Sequence, residues 1–281
     1  MCEVRRTVDA GPPVLSAFQV MQAVSRTALW VASMRAAEAA RPDRLHDDPL
    51  ATAVVASASE IPPAPPGAAE FMAIRTRFYD NFLAAPPAQV VVLAAGLDAR
   101  AFRLPWPSGV RLFELDLPEL LEFKTELIGA VDLTARCSRV VVPIDLRDDW
   151  ATALTSAGFS ASSPAAWIAE GLLQYLPEED KKRLLDTISG LSAPGSRFAF
   201  DHMDSSADDR EVVADTLEQI RSMGAEFVAT VADPAGWLTA HGWSVSVDRV
   251  PALAVAYGRP LPDFMDPAAA NATALCTATL S

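Results

Sequence analysis

The apolar run Val90-Val91-Val92-Leu93 passes directly into Ala94-Ala95-Gly96-Leu97-Asp98-Ala99-Arg100. This junction limits what the chain can fold into more than any other stretch. Consecutive β-branched and aliphatic residues mark a strand buried on both faces, as in a parallel sheet. Small residues just after it let the backbone approach a ligand closely, where a helix N-terminus directs its N–H groups outward. Such a turn describes a nucleotide-type cofactor site. It lacks the glycines of the dinucleotide pattern G-x-G-x-x-G, because Gly96 is the single glycine in the turn. A different cofactor is implied. Taken alone, Ala94-Ala95-Gly96 reads equally as a tight structural turn.

From Gln89 onward, short β-rich runs alternate with helical patterns. Strands are expected at Gln89–Ala94, Val110–Leu115, Arg139–Ile144, Ala165–Ala169 and Ser196–Asp201, with helices at Leu117–Ile128, Trp150–Ala157 and Glu178–Leu191. That alternation predicts a doubly wound, mostly parallel α/β sheet. A helical stretch at Asp208–Met223 and a helix at Pro234–Ala240 come next. Trp243–Asp248 and Ala252–Tyr257 then lie too close for a crossover helix and are expected to pair antiparallel. Upstream, Leu15–Ala40 has the apolar spacing of one or two amphipathic helices, and the Pro-rich Ile61–Gly67 reads as an extended surface connection before a helix at Ala69–Leu83. Residues 1–88 are thus a helical cover of the same domain, and residues 89–281 the core, with a helical insertion at about 202–230.

At 281 residues and 51% hydrophobic, the chain can bury one large core. Its formal charge of −13 would repel phosphate backbones and anionic lipid, which argues against nucleic acid or membrane as a partner. Cys2, Cys137 and Cys276 are few, odd in number and far apart, so they indicate neither a disulfide framework nor a metal cluster. A reducing cytoplasm fits that pattern. Met1–Arg6 carries mixed charges and Gly11-Pro12-Pro13 breaks the N-terminal segment before an apolar stretch can build up, so no export signal is expected. No apolar run is long enough to span a membrane.

In a doubly wound sheet, ligands bind outside the carboxyl ends of the strands. Glu114 and Asp116 close the second strand in one phase, where buried-strand periodicity gives no reason for carboxylates. An acid there accepts hydrogen bonds from ribose hydroxyls, with Glu114 as a helper. Asp145-Leu146 comes after the third strand and suits the edge of an adenine, although Asp145 is equally a helix cap. Glu170 ends the fourth strand, and an isolated acid is costly to bury unpaired, so a sulfonium or ammonium partner suits it. Gly171 beside it permits close approach. Tyr175 faces the same cavity or packs with its hydroxyl at the surface. Arg75 and Arg77, two residues apart, cannot share a helix face. His202 is the histidine at a strand end, whereas His46, in an acidic loop, and His241, beside a turn glycine, read as surface residues.

Seven segments in order carry a resemblance: Ser25–Ala51, Arg75–Asp80, Leu93–Leu104, Phe113–Pro118, Asp145–Arg147, Glu170–Pro177 and Gly242–Pro260. Together they resemble the leucine carboxyl methyltransferase family, in its bacterial branch of S-adenosylmethionine-dependent O-methyltransferases. The resemblance implies a Rossmann-like class I methyltransferase with a seven-stranded sheet and an antiparallel last strand. It assigns Arg75, the Ala94–Gly96 turn, Asp116, Asp145, Leu146 and Glu170 to S-adenosylmethionine, with Arg75 on its carboxylate. Ala94 and Ala99 depart from the family's Gly-Ala-Gly-Leu-Asp-Thr-Arg. The added methyl of Ala94 would narrow the space under the cofactor, so Ala94→Gly is expected to tighten binding at a small cost in stability. The expected activity is methyl-ester formation on a carboxylate of a small molecule or peptide terminus, which needs no strong general base because the acceptor is already ionised. Tyr175 and His202 are the candidate catalytic groups. Alternatives are transfer to a phenolic or alcoholic hydroxyl, with His202 as base, and a cofactor-binding protein without catalysis. The glycine pattern disfavours a nicotinamide-dependent oxidoreductase.

Overall fold

A computed structural model describes residues 23–57, 67–203, 234–262 and 273–281, with isolated positions between them. Three helices, α1 (Ala23–Ala39), α2 (Pro49–Ser57) and α3 (Ala68–Phe82), precede the first strand, β1 (Gln89–Leu93). Next in the chain are α4 (Arg100–Arg103), β2 (Arg111–Asp116), α5 (Pro118–Ala130), β3 (Ser138–Pro143), α6 (Trp150–Ser156) and β4 (Ala165–Ala169). A 3₁₀ turn at Leu173–Tyr175 leads to α7 (Glu178–Gly190) and β5 (Arg197–Met203). The last elements are α8 (Pro234–Ala240), β6 (Trp243–Arg249), α9 (Val250–Ala256) and β7 (Thr273–Leu280).

The strands form one sheet in the order β3-β2-β1-β4-β5-β7-β6, in which β7 alone runs opposite to the other six. Strand order reverses between β1 and β4, which puts their carboxyl ends at the switch point where doubly wound sheets bind ligands. Every residue of β1 and β4 is buried, as central strands covered on both faces require. Alternate residues divide between two cores. Val91, Leu93, Phe113, Trp167, Phe198 and Phe200 pack on the side of α6 and α7, and Val90, Val92, Leu112, Ile168 and Ala199 on the side of α3 and α9.

The doubly wound sheet and its strands β1–β5 agree with the sequence expectations, but the end of the chain differs. Ala252–Tyr257 is not a strand. Pro251 sits in the first turn of α9, where its fixed φ and missing N–H cost nothing, and Val250, Leu253 and Ala254 bury one helical face. The antiparallel partner of β6 is instead β7, inserted between β6 and β5. The helix expected at Asp208–Met223 lies, but for two isolated positions, outside the described residues, as does Leu15–Gln22. No helix among the described residues is long and apolar enough to cross a membrane.

Candidate functional site

The turn after β1 is held by the end of β2. Gly96 N donates to Asp116 Oδ2 at 2.6 Å and Leu117 N to Asp116 Oδ1 at 2.7 Å, while Ala95 N reaches Leu115 O at 3.0 Å. Burial raises the Asp116 pKa against the pull of these two amides. Each oxygen keeps a further lone pair for a ligand hydroxyl. From above, α1 covers the turn. A Cβ on Gly96 would lie 3.6 Å from Ala28 Cβ, and Arg35 donates to Leu97 O at 2.7 Å and to Asp48 at 2.9 Å.

Ala94 adopts φ +49°, in the left-handed region where a Cβ crowds the following carbonyl. This reverses the expected stability cost of a glycine there. Ala94→Gly is expected to relieve about 1 kcal/mol of strain, raising Tm by about 2–3 °C. Thermal unfolding of the two proteins checks it, and an unchanged or lower Tm would show that the turn is relaxed around alanine.

Glu170, expected as an isolated acid, instead joins two arginines. Arg75 Nε lies 3.1 Å from its Oε1 and Arg100 Nη1 2.8 Å from its Oε2. Burial opposes ionisation of Glu170, but Arg100 and then Arg75 outweigh it and lower its pKa. Arg100 also binds Asp98 and, at 2.9 Å, Asp80, which in turn holds Arg103 at 2.6 Å. Asp98 is carried down to about 2, where Arg100 and Lys124 overcome its burial. Arg75 thus faces inward, as required of one member of the pair, and Arg77 is exposed. Of the Arg75 fork, Glu170 takes the Nε donor; the Nη hydrogens make no hydrogen bond among the described residues. Gly171, at φ +63°, leaves room for that guanidinium, since a Cβ there would stand 3.1 Å from Arg75 Nη1.

Asp145 and Leu146 lie half-buried beyond β3. Asp145 is not the cap of α6. Asp149 is, accepting from Thr152 N at 3.1 Å, while Asp145 pairs with the exposed Arg147, whose hydrogen bonds lower its pKa. Glu114, expected as a helper at the ligand, is engaged within the protein. It is fully buried against Lys124 Nζ and Arg139 Nη2, both at 2.8 Å, and braces α5 on the sheet. Tyr175 packs beside Trp30, Met34 and Met72 and bonds Thr27 of α1, and burial pushes its hydroxyl up to about 12. His202 lies within β5, in register with Ala274 and in phase with Phe198 and Phe200. That is the sheet face opposite to Asp201. His241 is on the surface, stacked on Trp237, but His46 is buried, with both ring nitrogens lacking a hydrogen-bond partner among the described residues. The structure therefore gathers Arg75, Ala94, Gly96, Asp116, Asp145, Leu146 and Glu170 at the carboxyl ends of β1–β4. The sequence reading missed Asp80, Arg103, Tyr79 and Asp201, all of which join the same ionic cluster. Tyr79 and Asp80 had one signal, the block Arg75-Thr76-Arg77-Phe78-Tyr79-Asp80, which puts Arg75 and Tyr79 one helical turn apart.

The sequence profile described as leucine carboxyl methyltransferase matches residues 28–189. A Parafrankia protein provisionally named an S-adenosyl-L-methionine-dependent methyltransferase is 43% identical over 260 residues, covering 86% of this chain and 84% of its own. Among solved structures, a DUF574 family protein from Streptomyces avermitilis superposes with a TM-score of 0.55 at 13% identity, covering 89% of this chain and 97% of its own. A provisionally named methyltransferase from Thermobifida fusca gives 0.52 at 16% identity, covering 77% and 84%. These two likenesses show the fold.

Proposed function

Because the chain belongs to the leucine carboxyl methyltransferase family, we propose that this S-adenosylmethionine-dependent methyltransferase acts on oxygen, forming a methyl ester on a carboxylate of a small molecule or a peptide terminus. The residues at the strand ends fit the cofactor. Asp116 has lone pairs for ribose hydroxyls, and the unbonded Nη hydrogens of Arg75 suit the carboxylate of the amino-acid portion. Asp145 and Leu146 would take the adenine edge, and the Ala94–Gly96 backbone would lie beneath the amino-acid portion. Glu170 already has two cations, so its part is to aim Arg75 and Arg100. When bound, S-adenosylmethionine supplies an electrophilic methyl group on a sulfonium.

The observation that carries the carboxylate reading is the state of the two candidate bases. Tyr175 is held protonated at neutral pH by burial, with its pKa near 12. His202 is packed in β5 in phase with Phe198 and Phe200, on the face away from Glu170 and Asp201. A high phenol pKa and a strand phase opposite to Asp201 both count against a role as general base. A carboxylate acceptor needs no proton removed, only alignment and exclusion of water.

Tritiated S-adenosylmethionine incubated with carboxylic-acid and phenol libraries identifies the acceptor, and base lability separates an ester from an ether. His202→Gln is expected to turn over that acceptor within about threefold of the parent, whereas loss of a working general base would cost about 10²–10⁴-fold. A base-stable product together with a loss of that size would replace this reading with hydroxyl transfer.

A further inference from the structure

We propose that Asp201 is a positioning residue that acts through Arg75, fixing the direction in which its guanidinium offers the Nη hydrogens to a carboxylate. A carboxylate within a sheet strand is costly unless it is fully engaged. Asp201 is engaged from three sides. Its Oδ1 accepts from Tyr79 Oη on α3 at 2.8 Å and from Gly171 N at 2.6 Å, and its Oδ2 faces Arg75 Nη1 at 3.9 Å. Gly171 N is the amide just after Glu170, so one carboxylate fixes both the end of β4 and the charge beside Arg75.

The geometry around Arg75 gives this arrangement its consequence. Glu170 holds the guanidinium at Nε, the near end of the fork, which leaves rotation about that contact unconstrained. Three neighbours limit the rotation: the Gly171 backbone on one side, the Phe71 ring 5.8 Å away, and the Asp201 charge near Nη1. Gly171 also lies nearer Nη1 than Nη2, so of the three only Asp201 attracts that end of the fork by its charge. Tyr79 secures Asp201, and burial together with Asp201 and Glu170 raises the pKa of its phenol, which keeps the donor protonated.

The inference rests on the reading that Arg75 grips the cofactor's carboxylate, and the test separates the two. Calorimetry is performed with S-adenosylmethionine and with decarboxylated S-adenosylmethionine on the parent, Asp201→Asn, Tyr79→Phe and Arg75→Lys. Asn keeps an acceptor for Tyr79 and Gly171 but removes the charge. Asp201→Asn is expected to lose about tenfold in affinity for S-adenosylmethionine and less than about twofold for the decarboxylated ligand. Tyr79→Phe, which preserves the ring packing, should show the same selectivity at about threefold. It carries the test if Asp201→Asn does not fold. Equal losses for both ligands in these two variants, or none, would overturn the inference while Arg75→Lys remains selective for the carboxylate. If Arg75→Lys itself shows no selectivity, the reading of Arg75 falls and this inference falls with it.

Discussion

Glu170→Ala is expected to lose about 3–5 kcal/mol of stability, melting roughly 10 °C lower, because it strips two buried arginines of their shared counter-charge. Arg75 and Arg100 have side-chain exposures of 8% and 3%. Neither can move into water without dismantling the packing around it. Arg100 retains Asp98 and Asp80, but Arg75 would keep only the more distant Asp201 at 3.9 Å. Cofactor affinity should fall as well, by about tenfold to a hundredfold, as Arg75 loses its aim. Asp116→Ala offers a contrast. It leaves two backbone amides without acceptors, so a similar loss of S-adenosylhomocysteine affinity should come with a smaller fall in Tm. Scanning calorimetry and ligand titration on both variants check this pair of outcomes. Glu170→Ala melting within about 2 °C of the parent would show that Glu170 is not the hub of the cluster. Unchanged S-adenosylhomocysteine affinity in both variants would move the cofactor site elsewhere.

The parts of this protein that were legible in its sequence are those with a local cause. Strands β1 and β4 could be found because burial on both faces writes a continuous apolar run, and the strand-end positions of Asp116, Asp145 and Glu170 because such a run stops where a carboxylate comes. Strand β7 has no such signature. Thr273-Ala274-Leu275-Cys276-Thr277-Ala278 is short in large apolar side chains, and its place between β5 and β6 is decided by topology. Ala252–Tyr257 misled for the opposite reason, since Val and Ala in a short run suit either period and the packing against α3 and β7 selects the helix Val250–Ala256. The ionic cluster was invisible because its pairs are tertiary. Arg75 meets Glu170 across 95 residues, and Tyr79 meets Asp201 across 122. Glu170 was located correctly, but its company could not be read from its neighbours in the chain.

His46 shows the same limit and yields the largest pH effect. Its acidic neighbours Asp47 and Asp48 suggest a solvated loop, yet the ring is 6% exposed and its pKa is lowered to about 3, first by burial and then by Arg103. Asp80 on α3 opposes this, and Arg35 on α1 and Arg100 on α4 add to it. The folded-state value lies below the unfolded value of about 6.5, so between the two the unfolded chain binds more protons and acid favours unfolding. The destabilisation begins as pH falls through about 6.5, grows to about 2 kcal/mol at pH 5, and levels off only below the folded-state pKa. His46→Leu removes the titration and the two unpartnered nitrogens together, so at pH 8 it should be at least as stable as the parent. At pH 5 it should exceed the parent by about 2 kcal/mol more than at pH 8. Urea unfolding of both proteins at the two pH values gives the difference directly, and the carboxylates cancel because both chains carry them. If the two stabilities fall in parallel on acidification, the ring finds a partner that lets it charge in place.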